Sequence, residues 1–327
     1  MNDELKHRFY ASFDGNDDPS RLEELCRELL SEQQCSWPEL KEAYDSLTTI
    51  RSRYVACDGF SVRLVFNPGR AVNTTAAVSP REIRERPCFL CAGNLPSGQK
   101  GIVYRREFVI LGNPRPALPL HLTIAHLNHR SQALREHIEA FLEITADLGR
   151  GFTTLYNGPR CGASAPDHLH FQALPSGQMP IERDLHNTGN FIPLNPGSET
   201  SRAPIRRATG LGREVVLIEG DEISLIAAAF RDYMDTLMGP APKEGPFEEP
   251  MINAAALSDG KAWRLLIFPR RAHRPAAFYR DDEDRIVVSP AVMEMAGIIV
   301  TPVERDFDRL DAPTIQSIYR EVSLANT

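Results

Sequence analysis

Apolar positions recur at helical spacing in some stretches of the chain and alternate with polar ones in shorter runs. In PSRLEELCRELLSEQ (19–33), Leu22, Leu25, Leu29 and Leu30 form one stripe, which predicts a helix. WPELKEAYDSLTTIRSRY (37–54) continues the helical region, with Pro38 near its first turn. SQALREHIEAFLEITADLGR (131–150) places Leu134, Ile138, Phe141, Leu142, Ile144 and Leu148 on one face and predicts a third helix. DEISLIAAAFRDYMDTLM (221–238) predicts another. DAPTIQSIYREVSLAN (311–326) closes the chain as a helix, with Asp311 as N-cap and Pro313 just inside. The shorter runs read as strands: FSVRLVF (60–66), EFVILGNP (107–114), LHLTIA (120–125), GFTTLYNG (151–158), HLHFQAL (168–174), EVVLIEG (214–220) and RIVVSP (285–290). MINAAAL and AWRLLIFP form a hairpin around SDGK (258–261). Loops rich in Gly, Pro, Ser or Asn occupy 86–101, 159–167, 176–212 and 239–250.

Paired strands with interspersed helices, and no regular β-α-β alternation, predict an α+β fold of antiparallel sheets with packed helices. Strand pairs plus a helix occur on both sides of residue 190, which suggests two related halves. The expected division is an N-terminal helical region (1–55), a catalytic half (56–190) and a C-terminal half (191–327).

Composition narrows the function. The chain has 327 residues and a net charge of −7, with no Lys/Arg-rich run, so a nucleic-acid groove is not expected. No apolar run approaches 18 residues and the N-terminus is charged, so neither a membrane span nor a signal peptide is expected. Of six cysteines only Cys88 and Cys91 are closely spaced, which argues against a disulfide scaffold and for a reducing cytoplasm.

The chemistry concentrates in APDHLHFQALP (165–175). In a strand, His168, His170 and Gln172 share one face, while Leu169, Phe171 and Ala173 face the core. Two imidazoles and an amide are an unusual dressing for a merely solvated face. The row follows a small-residue loop, CGASAPD, that lets a ligand approach the backbone. A neutral imidazole is a good nucleophile near pH 7, and a neighbouring Gln donates N–H to a phosphate oxygen without titrating. His170 is therefore the candidate for a covalent nucleotidyl-histidine.

GASAPDHLHFQ resembles the active-site signature of the histidine-triad superfamily. Within it, the H-x-H-x-Q pattern is similar to the branch of galactose-1-phosphate uridylyltransferases, diadenosine tetraphosphate phosphorylases and GDP-hexose phosphorylases, closest to the GDP-L-galactose phosphorylases. The resemblance implies that His170 is the nucleophile and that Gln172 and Ser164 contact the transferred phosphate. Asp167 makes the Ser-to-His spacing one residue longer than in the uridylyltransferase pattern. Gln rather than His at the third position implies transfer to an acceptor other than water.

The C-x-x-C pair suits zinc, which needs two more ligands. His121, His126, His129 and His168 are available. The resemblance implies Cys88, Cys91, His129 and His168, with the metal steadying the strand that carries His170. Further phosphate or nucleotide contacts are expected from Asn67 and Arg70 after the first strand, from Asn157 and Arg160 upstream of the signature, and from Arg270, Arg271 and His273. The expected activity is a nucleotidyltransferase or phosphorylase. Its substrate would be a nucleotide sugar or dinucleoside polyphosphate, its acceptor inorganic phosphate or a sugar phosphate. A nucleotide hydrolase and a non-catalytic nucleotide-binding module are the alternatives, and a homodimer is compatible with the family.

Overall fold

The computed structural model describes residues 8–15, 19–71, 80–186, 188–194, 203–238 and 248–324. The N-terminal stripe forms α1 (Pro19–Ser36), with Leu22, Leu25, Leu29 and Leu30 buried. Pro38 excludes the helical conformation from the residue before it, so Trp37 is extended (φ −123°, ψ 101°) and a separate helix, α2 (Pro38–Leu47), begins. The expected helical continuation to Tyr54 stops at Leu47. There the Thr48 and Thr49 hydroxyls bond back to the Asp45 and Ser46 carbonyls (2.6 and 2.8 Å). β-Branched residues favour the strand that follows, β2 (Arg51–Ala56). It pairs with β3 (Ser61–Phe66), and β3 pairs in parallel with β14 (Ile298–Thr301) in a small three-stranded sheet.

The large sheet holds eleven strands among the described residues. β1 (Phe9–Phe13), β4 (Gly101–Tyr104), β5 (Phe108–Gly112), β6 (Leu122–His126), β7 (Phe152–Asn157) and β8 (His170–Pro175) build one side. β9 (Phe191–Pro193), β10 (Ile205–Ala208), β11 (Val216–Gly220), β12 (Ile252–Ser258) and β13 (Trp263–Pro269) build the other. The spatial order is β1-β4-β5-β6-β8-β7-β12-β13-β11-β10-β9. All neighbours are antiparallel except β1 with β4.

One topology occurs twice in this order. Two strands, a helix and two strands run from β5 to β8 around α4 (Ile138–Asp147), in spatial order 5-6-8-7. The same series runs from β10 to β13 around α6 (Ile223–Met238), in spatial order 10-11-13-12. The two units meet where β7 and β12 pair, with Asn157 opposite Asn253 and Tyr156 opposite Ala254. Short helices complete the fold: α3 (Pro80–Glu85), α5 (Pro180–Asp184), α7 (Val292–Met295), α8 (Glu304–Arg309) and the C-terminal α9 (Ala312–Val322). As the sequence predicts, Asp311 caps α9, accepting the Thr314 N–H at 3.0 Å.

The large sheet has apolar groups on both faces. Leu169, Phe171, Ala173, Leu265 and Ile267 join the core that includes residues of α1, α4 and α6. Leu174, Leu266 and Phe268 join a second core with α7, α9 and β14. His170 and Gln172 break that second apolar face on β8, whereas β13 is apolar in its centre on both faces. The repeat therefore carries polar side chains on this face in one copy of the strand.

Three expectations change. The helix drawn from residue 131 begins at Ile138, because Gln132 is engaged elsewhere. RIVVSP is not a strand: the Val287 N–H bonds the Asp306 carboxylate (2.7 Å) and the Ile286 N–H bonds the Ala277 carbonyl (3.0 Å). The connection 176–212 contains α5, β9 and β10, while 195–202 lie outside the described residues, as do 239–247 of the Pro/Gly loop.

One buried carboxylate ties the two units beside their seam. Glu249, ahead of β12, accepts the Leu134 and Arg135 N–H groups (2.6 and 3.0 Å) and the Tyr156 hydroxyl. Glu249→Ala leaves two buried donors and one half-buried donor unpaired and is expected to destabilise the protein by about 3 kcal/mol. A melting temperature lowered by roughly 5 °C or more is the readout; an unchanged one contradicts this role.

Candidate active site

β8 begins at His170, so the expected straight row is bent. His170 and Gln172 stand on the strand, and His168 lies just before it. The reason is local hydrogen bonding. The Leu169 N–H bonds the Arg130 carbonyl (2.5 Å), and the Leu169 carbonyl accepts the His126 N–H (2.9 Å). The His168 ring is thereby turned toward Cys88 and Cys91, away from the cavity.

His170 is held at three points. Its backbone N–H donates to the Gln132 side-chain oxygen (2.8 Å), and its carbonyl accepts from Gln132 Nε2 (2.9 Å), which also reaches the Asn157 carbonyl (2.9 Å). Gln132 thus fills the gap where β7 and β8 separate beyond the Leu155–Gln172 pair. The third point is the ring. Nδ1 lies 2.8 Å from the His168 carbonyl, which can only accept, so Nδ1 carries the proton and Nε2 carries the lone pair. Burial outweighs the opposing bond to the His168 carbonyl and brings the His170 pKa down to about 4. The ring is neutral at pH 7, with a lone pair on Nε2.

His170 and Gln172 line a cavity of about 510 Å³. Its walls come from the β8 face, the loop 86–99 around Cys88, the Asn113–Arg115 turn, the Gly162–Ser164 loop and the Ala291–Glu294 segment. Among the described residues, four arginines (Arg70, Arg86, Arg115 and Arg274) and one carboxylate (Glu294) line it. That balance favours an anionic guest in a chain whose net charge is negative. Of the other sequence candidates, Ser164, Asn157, Arg70 and His273 also reach the cavity.

Arg160, Arg270, Arg271 and Asn67 do not line it. Arg160 is exposed, pairing with Glu248 (3.2 Å) and the Glu249 carbonyl (3.1 Å). Arg270 is buried, and its N–H groups are spent on Asn253 Oδ1 (2.5 Å) and on the carbonyls of Pro290, Val322, Ala272 and His273. Arg271 bonds the carbonyls of Arg320 and Glu321 on α9. Asn67 is buried beneath its turn, its N–H on the Thr301 carbonyl (3.0 Å).

Arg270 acts instead through a relay. A guanidinium cannot accept, so Asn253 turns its oxygen to Arg270 and its NH2 group to Asn157 Oδ1 (3.0 Å) and the Cys161 carbonyl (2.7 Å). Asn157 Oδ1 also takes the Val292 N–H (2.8 Å). With its oxygen doubly occupied, Asn157 has its NH2 group left for the cavity.

Beside the cavity, Cys88, Cys91, His129 and His168 gather four potential ligand atoms within 4.8 Å of one another. Cys88 Sγ lies 3.2 Å from His168 Nδ1, and Cys91 Sγ lies 3.3 Å from His129 Nδ1 and 3.7 Å from His168 Nδ1. Ligand atoms of a tetrahedral zinc stand roughly 3.3–3.8 Å apart, so the set fits such an ion. The tautomer fits too. His168 Nε2 lies 2.7 Å from the His126 carbonyl and must donate there, which leaves the Nδ1 lone pair facing the thiols. Burial and the neighbouring Cys88 push the Cys91 thiol up to about 11, a cost that a bound cation would remove. Asp167, the extra residue of the signature, pairs with Arg86 (2.9 Å) and lies 3.8 Å from His129 Nε2, joining this cluster to a cavity arginine.

Comparison with solved structures places the architecture. The chain is similar to yeast Ap4A phosphorylase in complex with Ap4A, with a TM-score of 0.60 at 14% identity over 92% of this chain and 98% of that one. Against the same yeast enzyme in complex with AMP the TM-score is 0.58 at 16% identity, over 91% and 97%. The chain shares the fold of these proteins. The family described as Domain of unknown function (DUF4922) matches residues 29–175, which take in the Cys88/Cys91 pair and the His168–Gln172 row. No curated protein sequence matches the chain.

Sequence reasoning missed Gln132, Arg86, Arg115 and Glu294. Arg86 had a usable signal, two residues before the first cysteine. Glu294 had none, lying in an apolar stretch that the fold returns to the cavity. The His170 imidazole is expected to titrate near pH 4 by NMR. Because the unfolded ring protonates near 6.5, acidification between those values favours unfolding by about 1.4 kcal/mol per pH unit for this ring. A midpoint near 6.5 contradicts the assignment.

Proposed function

We propose that the chain is a nucleotidyltransferase of the phosphorylase type, acting on a dinucleoside polyphosphate or a nucleotide sugar through a nucleotidyl-His170 intermediate. The observation that carries this reading is the neutral His170 ring, its Nε2 lone pair available at an arginine-lined cavity and its Nδ1–H engaged by the His168 carbonyl. The fold shared with an enzyme solved with Ap4A and with AMP supports it. The signature's likeness to GDP-hexose phosphorylases adds GDP-hexose to the substrates to be tried.

In the first step Nε2 attacks the α-phosphorus. An N–P bond forms, and the bond to the leaving oxygen breaks, releasing a nucleoside polyphosphate or sugar phosphate. The Nδ1–H bond to the His168 carbonyl stabilises the cationic ring that results. Gln172, Asn157 and Ser164 hold the oxygens of the transferred group, while Arg70, Arg86 and Arg115 neutralise the rest of the polyphosphate. In the second step an oxygen of inorganic phosphate attacks the same phosphorus, the N–P bond breaks and a nucleoside diphosphate leaves. His273 lies in the same wall, its pKa held down to about 4 by burial and by Arg274 and Arg270, so it donates or accepts hydrogen bonds there as a neutral ring.

We assign the catalytic role to the half carrying β8 (56–190), with the second half (191–327) closing the cavity through residues 273–300. Zinc is the metal proposed at Cys88, Cys91, His129 and His168, consistent with a reducing compartment such as the cytoplasm. It would supply a fixed anchor for the segment entering β8.

With Ap4A, GDP-hexose and UDP-hexose as trial substrates, at least one is expected to add a nucleotidyl mass to the protein. Phosphate is expected to discharge it, and His170→Ala is expected to lose activity by at least about 10³-fold. No adduct with any substrate, together with full activity of His170→Ala on an active one, contradicts the proposal. Metal analysis of protein purified without chelator is expected to find about one zinc per chain, lost in the Cys88→Ser/Cys91→Ser variant. Equal, sub-stoichiometric zinc in both contradicts the metal assignment.

A further inference from the structure

We infer that His121 is a positioning residue: it fixes the Gln172 side chain with its NH2 group turned into the cavity, making that wall a preset hydrogen-bond donor for a fully ionised phosphoryl group. The inference deepens the proposed transferase reading and rests on it for the identity of the ligand. The orientation itself rests on geometry.

His121 is fully buried immediately before β6, and it does not line the cavity. The Ala117 backbone N–H, which can only donate, points at Nδ1 from 3.1 Å. Nδ1 therefore carries the lone pair, and the single proton of the neutral ring sits on Nε2. Nε2 lies 3.0 Å from the nearest atom of the Gln172 amide, which must accept and is therefore the oxygen. The other branch of that amide, the NH2 group, is left for the cavity. A positively charged His121 would set an N–H against the Ala117 N–H. Burial and the Arg70 charge hold its pKa down to about 3, so the ring keeps one tautomer across physiological pH.

The same logic applies to its neighbours. Thr123 pairs with Gln172 across β6 and β8. Asn113 Oδ1 takes the Arg115 N–H (2.9 Å), so Asn113 Nδ2 donates to Thr123 Oγ1 (3.0 Å) and the Thr123 hydroxyl keeps its proton to give. Asn157 already presents its NH2 group. Gln172, Thr123 and Asn157 each line the cavity with a donor whose direction is set by a backbone N–H, or by a chain ending in one. Such a wall suits a group that offers acceptors only, as a diphosphate or phosphodiester does, and disfavours an ammonium, which can only donate.

Two measurements test this. Nitrogen NMR of the resting protein is expected to show His121 as the Nε2–H tautomer, without titration above about pH 4; the Nδ1–H tautomer overturns the inference whatever the enzyme's activity. The second is a kinetic cycle on the rate of nucleotidyl-His170 formation in wild type, His121→Ala, Gln172→Ala and the double variant. Each single change is expected to slow the step by about 10–100-fold, and the double to be no slower than Gln172→Ala. A merely structural His121 slows the Gln172→Ala background by its full factor, and that outcome overturns the inference. So does a wild-type rate in His121→Ala. Absence of any adduct in wild type instead refutes the transferase reading, and the tautomer measurement still decides the orientation.

Discussion

Everything at the site depends on two imidazoles, each of which gives its one proton to a backbone carbonyl. His168 donates from Nε2 to His126, and His170 donates from Nδ1 to His168. A neutral ring has one proton to give, so each bond exposes the opposite nitrogen as a lone pair. For His168 that nitrogen faces two thiols; for His170 the ring lines the arginine-bearing cavity. Two histidines two residues apart thus present different nitrogens to different surroundings, and the difference is made by which ring atom meets a carbonyl. Gln132 secures the arrangement by bonding the His170 backbone at both its N–H and its carbonyl.

The repeated topology explains why there is a place to put such a site. Two similar strand-helix units joined antiparallel give a sheet wide enough to carry cores on both faces. Near the seam, one face of β8 is left open and is roofed by the Ala291–Glu294 segment and the turn after β5. The seam pair Asn157–Asn253 lies between the units, and Arg270 reaches it from the end of β13. An arginine that the sequence offers as a phosphate ligand is here a brace behind Asn157, because its donors are exhausted by carbonyls and an amide within the protein.

Much of this was legible in the sequence because it rests on local periodicity. The α1 stripe, the α9 cap, the hairpin of β12 and β13, and the alternation that puts Phe171 in the core and His170 opposite it are all short-range patterns. The metal-ligand set came from spacing and family likeness, and the fold brings those four residues together. What could not be read depends on long-range pairing. β1 and β14 owe their strand state to parallel partners far along the chain, RIVVSP gives its Val287 N–H to the Asp306 carboxylate instead of a strand, and the helix expected from residue 131 starts only at Ile138, with the Gln132 amide bonded to His170. Asp167, an unexplained extra residue in the signature, proves to join Arg86 to the cysteine–histidine cluster.

The proposed reaction turns on one atom, Nε2 of His170. Trapping the adduct from a nucleotide substrate on nitrogen-15-labelled protein, then recording phosphorus–nitrogen correlation spectra, identifies the atom that carries phosphorus. Phosphorus is expected on Nε2 of His170, with Nδ1 still protonated. Phosphorus on Nδ1 of His170, or on any other residue, would contradict it.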